Sequence, residues 1–259
     1  MRSHLTAGTF RPLLQAGVAC LVLLGLADRA LASVFSVTPT RLVLTTDQKS
    51  ALLTVSNDSD RAVRFQLSIF TWDQNDDGSM KLGPTSDIVF YPPLLTLAAK
   101  ETRQIRVGTQ IRPAAVERSY RLFVEELPNA DEAPSSANAV KMRTRIGIPV
   151  FVQGAKPAPA PKIERVAAED GAVNFDVRNL GNTHTVVQTV QIRGLSAAGR
   201  EQFTTSATGW YLLAQQRQVF RVAIDPAQCG LATRLVVTVT TDDGLVSTTV
   251  EMPRGACVR

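Results

Sequence analysis

The chain has 259 residues, 44% of them hydrophobic and 20% charged, which fits one or two folded domains and excludes a disordered chain. Aromatics are 6% and the net charge is +5 with no run of like charges, so there is little to stack on bases or track a phosphate backbone, and no nucleic-acid partner is expected.

The N-terminal 32 residues read as a targeting segment. Arg2 and Arg11 precede an apolar run from Ala16 to Ala27, and Ala30-Leu31-Ala32 supplies a small-x-small cleavage site. The run is shorter than the about 20 apolar residues that a bilayer requires, so cleavage near Ala32 and export are expected, without stable membrane insertion. Removal takes three of the 28 Lys+Arg and one of the 23 Asp+Glu, leaving 25 minus 22, or +3. It also takes Cys20, so the mature chain keeps Cys229 and Cys257, an even pair in an oxidising compartment.

From Phe35 onward short apolar runs alternate with turn residues. Strands are expected over Phe35–Leu44, Ala51–Val55, Ala62–Trp72, Ile88–Leu97, Thr102–Val107, Arg118–Leu127 and Ala139–Val152. In Ala62–Trp72 the residues Phe65, Leu67 and Ile69 share one face and Arg64, Gln66 and Ser68 the other. Seven such strands predict an antiparallel sandwich. Prolines 157, 159 and 161 then form a stiff extended spacer over Gly154–Pro161. Strand signals resume at Val173–Val177, Thr185–Ile192 and Gln218–Ile224, followed by a hairpin of Leu231–Thr240 and Leu245–Met252 around Asp242-Asp243-Gly244. Cys229 and Cys257 sit symmetrically about Asp243, so the folded hairpin sets them opposite one another and predicts a structural disulfide. The expected fold is all-β: two immunoglobulin-like sandwiches, residues 33–153 and 162–259, joined by the 154–161 linker.

Catalytic signatures are sparse. The one mature histidine, His184, sits where a strand is about to begin and reads as a surface or turn residue. Asp73, Asn75, Asp77 and Gly78 imitate the start of a calcium loop, but the glutamate that should close it falls at Pro84, which favours a polar hairpin turn and no metal. Glu125 and Glu126 are adjacent and point to opposite faces of a strand, so they form no paired-carboxylate site. No Gly-rich phosphate loop follows a strand, and no cofactor is expected.

Ala139–Val152 is the most informative segment. One face carries Val140, Met142, Thr144, Ile146, Ile148, Val150 and Val152; the other carries Lys141, Arg143, Arg145, Gly147, Pro149 and Phe151. It is either an ordinary last strand with its apolar face inward or an edge strand that offers apolar residues to another protein.

The order of segments resembles that of PapD-like periplasmic pilus chaperones over the mature chain. The matching pieces are Phe35–Leu44 with Thr40-Arg41, Leu52–Asn57, Ser119–Pro128, the long alternating strand, and Ile163 onward with Asn179–Thr183. The resemblance implies a non-enzymatic chaperone that holds pilin or fimbrial subunits by donor-strand complementation, a form of strand addition for which such chaperones are a type case, and delivers them to an outer-membrane usher. It places subunit groove filling on Val140, Met142, Thr144 and Ile146, and binding of the subunit's terminal carboxylate on Arg41, whose bidentate fork suits that task. Taken alone, Arg41 reads first as a solvated strand arginine. The family's cleft lysine aligns with Gly147, so Arg145, on the same face, is the expected substitute, with Arg143 also open. The family's inter-domain glutamate matches Glu126, but its arginine partner aligns with Phe151, so the domains must be oriented by other contacts. Arg145–Val152 looks more like the archaic branch that serves spore-coat-U-like pilins. The alternative is a secreted tandem Ig-like structural or ligand-binding module, which would bury residues 140–146 within its own sandwich.

Overall fold

The computed structural model describes residues 35–128 and 143–252. The leader, Val140, Met142 and Cys257 lie outside the described residues.

The first half builds two facing sheets from alternating strands. One sheet contains β1 (Phe35–Thr38), β3 (Ser50–Asn57), β8 (Thr102–Thr109) and β6 (Ile88–Tyr91), in the order β1-β3-β8-β6. The other runs β2 (Leu42–Leu44), β10 (Arg145–Val152), β9 (Arg118–Leu127), β4 (Val63–Gln74) and β5 (Met80–Gly83), with β7 (Leu94–Leu97) also on β4. The continuous strand expected over Phe35–Leu44 is broken at Pro39: β1 pairs with β3, while β2 crosses to the second sheet and lies parallel to β10. Proline has no N–H for a ladder, so the chain changes sheets there. Pro92 and Pro93 divide Ile88–Leu97 into β6 and β7 in the same way. The core is the inward register of these strands: Leu53 and Val55, Phe65 and Leu67, Ile105 and Val107, Leu122 and Val124, Ile148 and Val150. Period-two alternation aims these residues at one face, and about 25 cal/mol of stabilisation per Å² of buried apolar surface holds the sheets together.

The second half repeats the plan. A three-stranded sheet orders β11 (Pro161–Glu169), β12 (Ala172–Asn179) and β16 (Arg217–Ala223). It faces a sheet of β14 (Glu201–Thr208), β13 (Thr185–Leu195), β17 (Arg234–Thr241) and β18 (Gly244–Glu251), with β15 (Tyr211–Leu212) also on β13. Phe175 and Phe220 stack at 5.3 Å inside this second core, beside Val190, Ile192, Val237 and Val239. The expected hairpin is present, Thr241 pairing with Gly244 across a two-residue turn at Asp242-Asp243, and Gly244 takes φ +144° there. Cys229, fully buried, is disulfide-bonded.

Strand β10 has two unlike halves. Antiparallel β9 pairs with it along its whole length, Arg145 opposite Glu125 through Val152 opposite Arg118. Strand β2 covers only Val150, Phe151 and Val152. Among the described residues, therefore, the edge from Arg145 to Ile148 has no neighbour. Thr144 O accepts from Glu126 N–H at 3.1 Å, whereas Gln153 N–H donates to Leu44 O at 2.8 Å. Alternation then turns even-numbered backbone groups toward β9 and odd-numbered ones toward β2 or the open edge. The groups left facing outward are those of Arg145 and Gly147; the Pro149 carbonyl is taken by Leu42 N–H, as the parallel pairing of Leu42 with Val150 requires.

Candidate functional site

Both sandwiches belong to one compact unit, and they meet across an inter-domain cleft region on the non-core face of the β10–β9 sheet, where Phe151 and Glu117 touch His184. Contacts at its base answer how the domains are oriented without the Glu126 pairing. Phe151, on the outward register of β10, stacks on the His184 ring with centroids 3.6 Å apart and planes 11° from parallel. His184 is not a surface histidine, contrary to expectation: its side chain is 6% exposed. The physical reason is tertiary, because an aromatic face and a carboxylate arrive from the other sandwich.

That carboxylate is Glu117, just before β9, with a fully buried side chain. Its Oε1 accepts from His184 N–H at 3.1 Å and pairs with Nδ1 at 2.8 Å. Its Oε2 accepts from the Thr183 hydroxyl at 2.7 Å and from Gln153 Nε2 at 3.1 Å. Each oxygen is therefore doubly satisfied, the condition under which a buried charge is tolerated. Glu126 lies near the other end of β9, opposite Phe65, and takes no part in the junction. The loop that presents His184 is held by buried Asn179, whose Nδ2 donates to Thr183 O at 2.7 Å while Oδ1 accepts from Gly181 N–H at 2.9 Å.

A second set of contacts comes from the β4–β5 hairpin. Gln74 donates to Tyr211 O at 2.6 Å and accepts from Leu213 N–H at 2.8 Å. Asp76 is ion-paired with Arg217, and its carbonyl accepts from Val219 N–H at 2.7 Å. The segment that imitates a calcium loop is thus a hairpin turn that also grips the second sandwich. Trp72, Phe151 and Leu213 form a small apolar cluster between the two halves.

Arg41, immediately before β2, reaches this junction. Its Nη1 lies 3.5 Å from His184 Nε2 and 4.0 Å from Asp242 Oδ2. Nδ1 faces the Glu117 carboxylate, so Nε2 is the ring nitrogen turned toward the guanidinium. Burial alone raises the Asp242 carboxyl pKa, but hydrogen bonds from Val186 N–H and the Thr185 hydroxyl more than offset this and hold it below its ordinary value. The Arg41 side chain nevertheless remains 45% exposed, oriented but open to a ligand.

The other expected residues are distributed unevenly. Ile146 is partly buried against the first core, while Thr144 is exposed and precedes the strand. Arg145 pairs with Glu125 at 3.4 Å, and its guanidinium lies 3.8 Å from the Phe123 ring centre. Arg41 is level with Pro149, because the next residue, Leu42, pairs with Val150. Arg145 therefore sits four residues up the strand, roughly 13 Å away at 3.3 Å per residue, and the structure does not bring these two arginines together.

Sequence reasoning missed a third arginine. Arg121 pairs with Pro149 across β9 and β10 and points to the same outward face. Only 8% of it is exposed, and its guanidinium lies between two indoles, 4.9 Å from the Trp72 ring centre and 5.7 Å from that of Trp210 in the second sandwich. A Cβ at Gly147 would come within 2.8 Å of Arg121 Nε and 3.0 Å of the Phe123 ring. Glycine at 147, which removes the expected lysine, is what lets Arg121 lie across β10. Burial pushes the Arg121 pKa down from the usual arginine value.

Comparison with known proteins adds to this geometry. Residues 34–157 match the family model described as pili and flagellar-assembly chaperone, PapD N-terminal domain. No curated protein sequence matches the chain. Among solved structures, the chain is similar to one of the CsuC–CsuE chaperone–tip adhesion subunit pre-assembly complex from the archaic chaperone-usher Csu pili of Acinetobacter baumannii, with a TM-score of 0.57 and 20% identity over 85% of this chain and 98% of that one. The Class 5 fimbriae chaperone CfaA gives 0.54 and 12% identity over 85% and 100%. The Salmonella enterica SafA pilin in complex with the SafB chaperone gives 0.54 and 14% over 85% and 97%. At these identities the likeness establishes the fold, two Ig-like sandwiches in tandem.

Proposed function

The first sandwich belongs to the PapD family of pilus-assembly chaperones, and from that premise we propose that the chain is a periplasmic chaperone that holds pilin or fimbrial subunits by donating a strand and passes them to an outer-membrane usher. The leader would be removed near Ala32, leaving domains 33–153 and 162–259 around the 154–161 linker, with Cys257 as the partner of Cys229. The observation that carries the reading is the open edge of β10. An unpaired strand edge flanked by apolar residues is a template for another strand and an aggregation hazard when unused. In this reading a subunit pairs with the Arg145–Ile148 edge, and Ile146, with Thr144, Met142 and Val140 further along the same register, fills its groove. Arg41 receives the subunit's terminal carboxylate, and Arg145, stacked on Phe123, lies along the path of the bound strand.

The test is periplasmic co-purification of the tagged protein with a pilin-like subunit encoded beside it. Wild type is expected to yield a one-to-one complex that Met142→Asp abolishes while remaining folded. If Met142→Asp captures the subunit as well as wild type does, strand donation through this segment is wrong and the tandem structural module takes its place.

A further inference from the structure

The base of the cleft holds an unusual concentration of donors without an acceptor. Arg121 Nε and Nη1 and Trp72 Nε1 are all buried and have no hydrogen-bond partner. Buried polar groups in folded proteins are almost always paired, and an unpaired buried charge is among the costlier exceptions. Two indole faces provide part of the compensation that a guanidinium needs, through cation–π attraction, but they accept no ordinary hydrogen bond. Among the described residues no carboxylate is paired with Arg121. Glu125 is occupied by Arg145, and Glu117 by His184, Thr183 and Gln153.

We infer that Arg121 is the second anion-binding residue of the cleft, acting with Arg41 on one terminal carboxylate, and that Trp210 of the second sandwich is a positioning residue for it. Arg41 and Arg121 flank Pro149 in one row across the sheet, two strand spacings or roughly 10 Å apart at the backbone. A carboxylate above Pro149 lies between them and supplies the acceptors that Arg121 lacks. Because Trp72 belongs to one sandwich and Trp210 to the other, the guanidinium is held in place only while the domains are docked. The inference rests on the chaperone reading for the identity of the ligand, a subunit's C terminus, but not for the existence of the anion site.

The chain has two tryptophans, and both flank Arg121, so tryptophan emission, excited where tyrosine does not absorb, reports on this site. The probe is N-acetylglycine, a free terminal carboxylate, with N-acetylglycinamide as its uncharged control, titrated at constant ionic strength. Wild type is expected to show a saturable emission change with the acid and none with the amide. Arg121→Gln is expected to weaken the response at least about tenfold, the loss of one charge-assisted fork. Trp210→Ala is expected to weaken it several-fold. Arg121→Ala combined with Gly147→Lys, which returns a cation to the same place, is expected to recover carboxylate-dependent binding.

Stability separates an anion receptor from a purely structural arginine. Removing an uncompensated buried charge leaves the unfolding midpoint of Arg121→Gln equal to or above that of wild type, whereas removing a structural cation–π strut lowers it. Equal responses to acid and amide, a response that survives in Arg121→Gln, or no response in wild type would each overturn the inference. The probe carries no groove, so its failure leaves strand donation standing, and capture that is insensitive to Met142→Asp leaves the anion site standing.

Discussion

The two halves of β10 share their partner β9 and differ in what lies along the other edge. Val150–Val152 is fixed on every side: by β2 along its edge, by the first core beneath Val150 and Val152, and by the His184 ring above Phe151. Arg145–Ile148 buries Ile148 in the core and Ile146 partly so, and keeps one backbone edge without a neighbour among the described residues. The contrast shows how one strand serves two purposes. Its locked end joins the sandwiches, and its open end can accept another strand without disturbing that junction.

A charge placed at the locked end tests this contrast most severely. Val150→Asp puts a carboxylate where no surface is exposed, and is expected to cost more than about 4 kcal/mol in urea unfolding. Ile146→Asp, at the partly buried position in the open half, is expected to cost well under half of that while abolishing subunit capture. Similar unfolding losses for the two would erase the distinction. Next in size is the junction: Glu117→Ala strands the His184 and Thr183 donors and Gln153 at once, for an expected loss of about 3 kcal/mol by the same measurement. Gly147→Ala forces Arg121 and Phe123 to yield to a methyl group, with an expected loss of about 1–2 kcal/mol and a changed tryptophan emission. Smallest is Arg145→Ala, which removes a half-exposed ion pair and a stack on Phe123, expected below about 1 kcal/mol.

Much of the fold was legible because burial follows period two. Phe65 and Leu67 point inward and Arg64 and Gln66 outward, as the alternation of that segment requires. Strand β14 escaped notice because Phe203 is its one large apolar residue, and an edge strand needs little more. Strand β11 begins at Pro161 itself, so the proline-rich stretch masked its start. The Leu42–Leu44 parallel pairing was not legible, since Pro39 marks a break in the strand but not which sheet the chain joins after it. In the cleft, Arg41 stood out through resemblance, whereas the Glu117–His184 pair spans 67 residues and exists only once both sandwiches are folded. Arg121 follows buried Tyr120 and precedes buried Leu122, so alternation alone assigns it to solvent. The two tryptophans that enclose it come from separate domains.

Amide hydrogen exchange of β10, in the free protein and in its complex with a subunit, tests the central claim most directly. Ile146 and Ile148 N–H groups face β9 and should be protected in both states. Arg145 and Gly147 N–H groups face the open edge, and should exchange rapidly in the free protein and become protected on binding, with the locked Val150–Val152 unchanged. Gain of protection at Arg145 and Gly147 alone is the predicted result. Unchanged exchange at those two amides in a stable complex would mean that the subunit binds elsewhere, and would contradict the account.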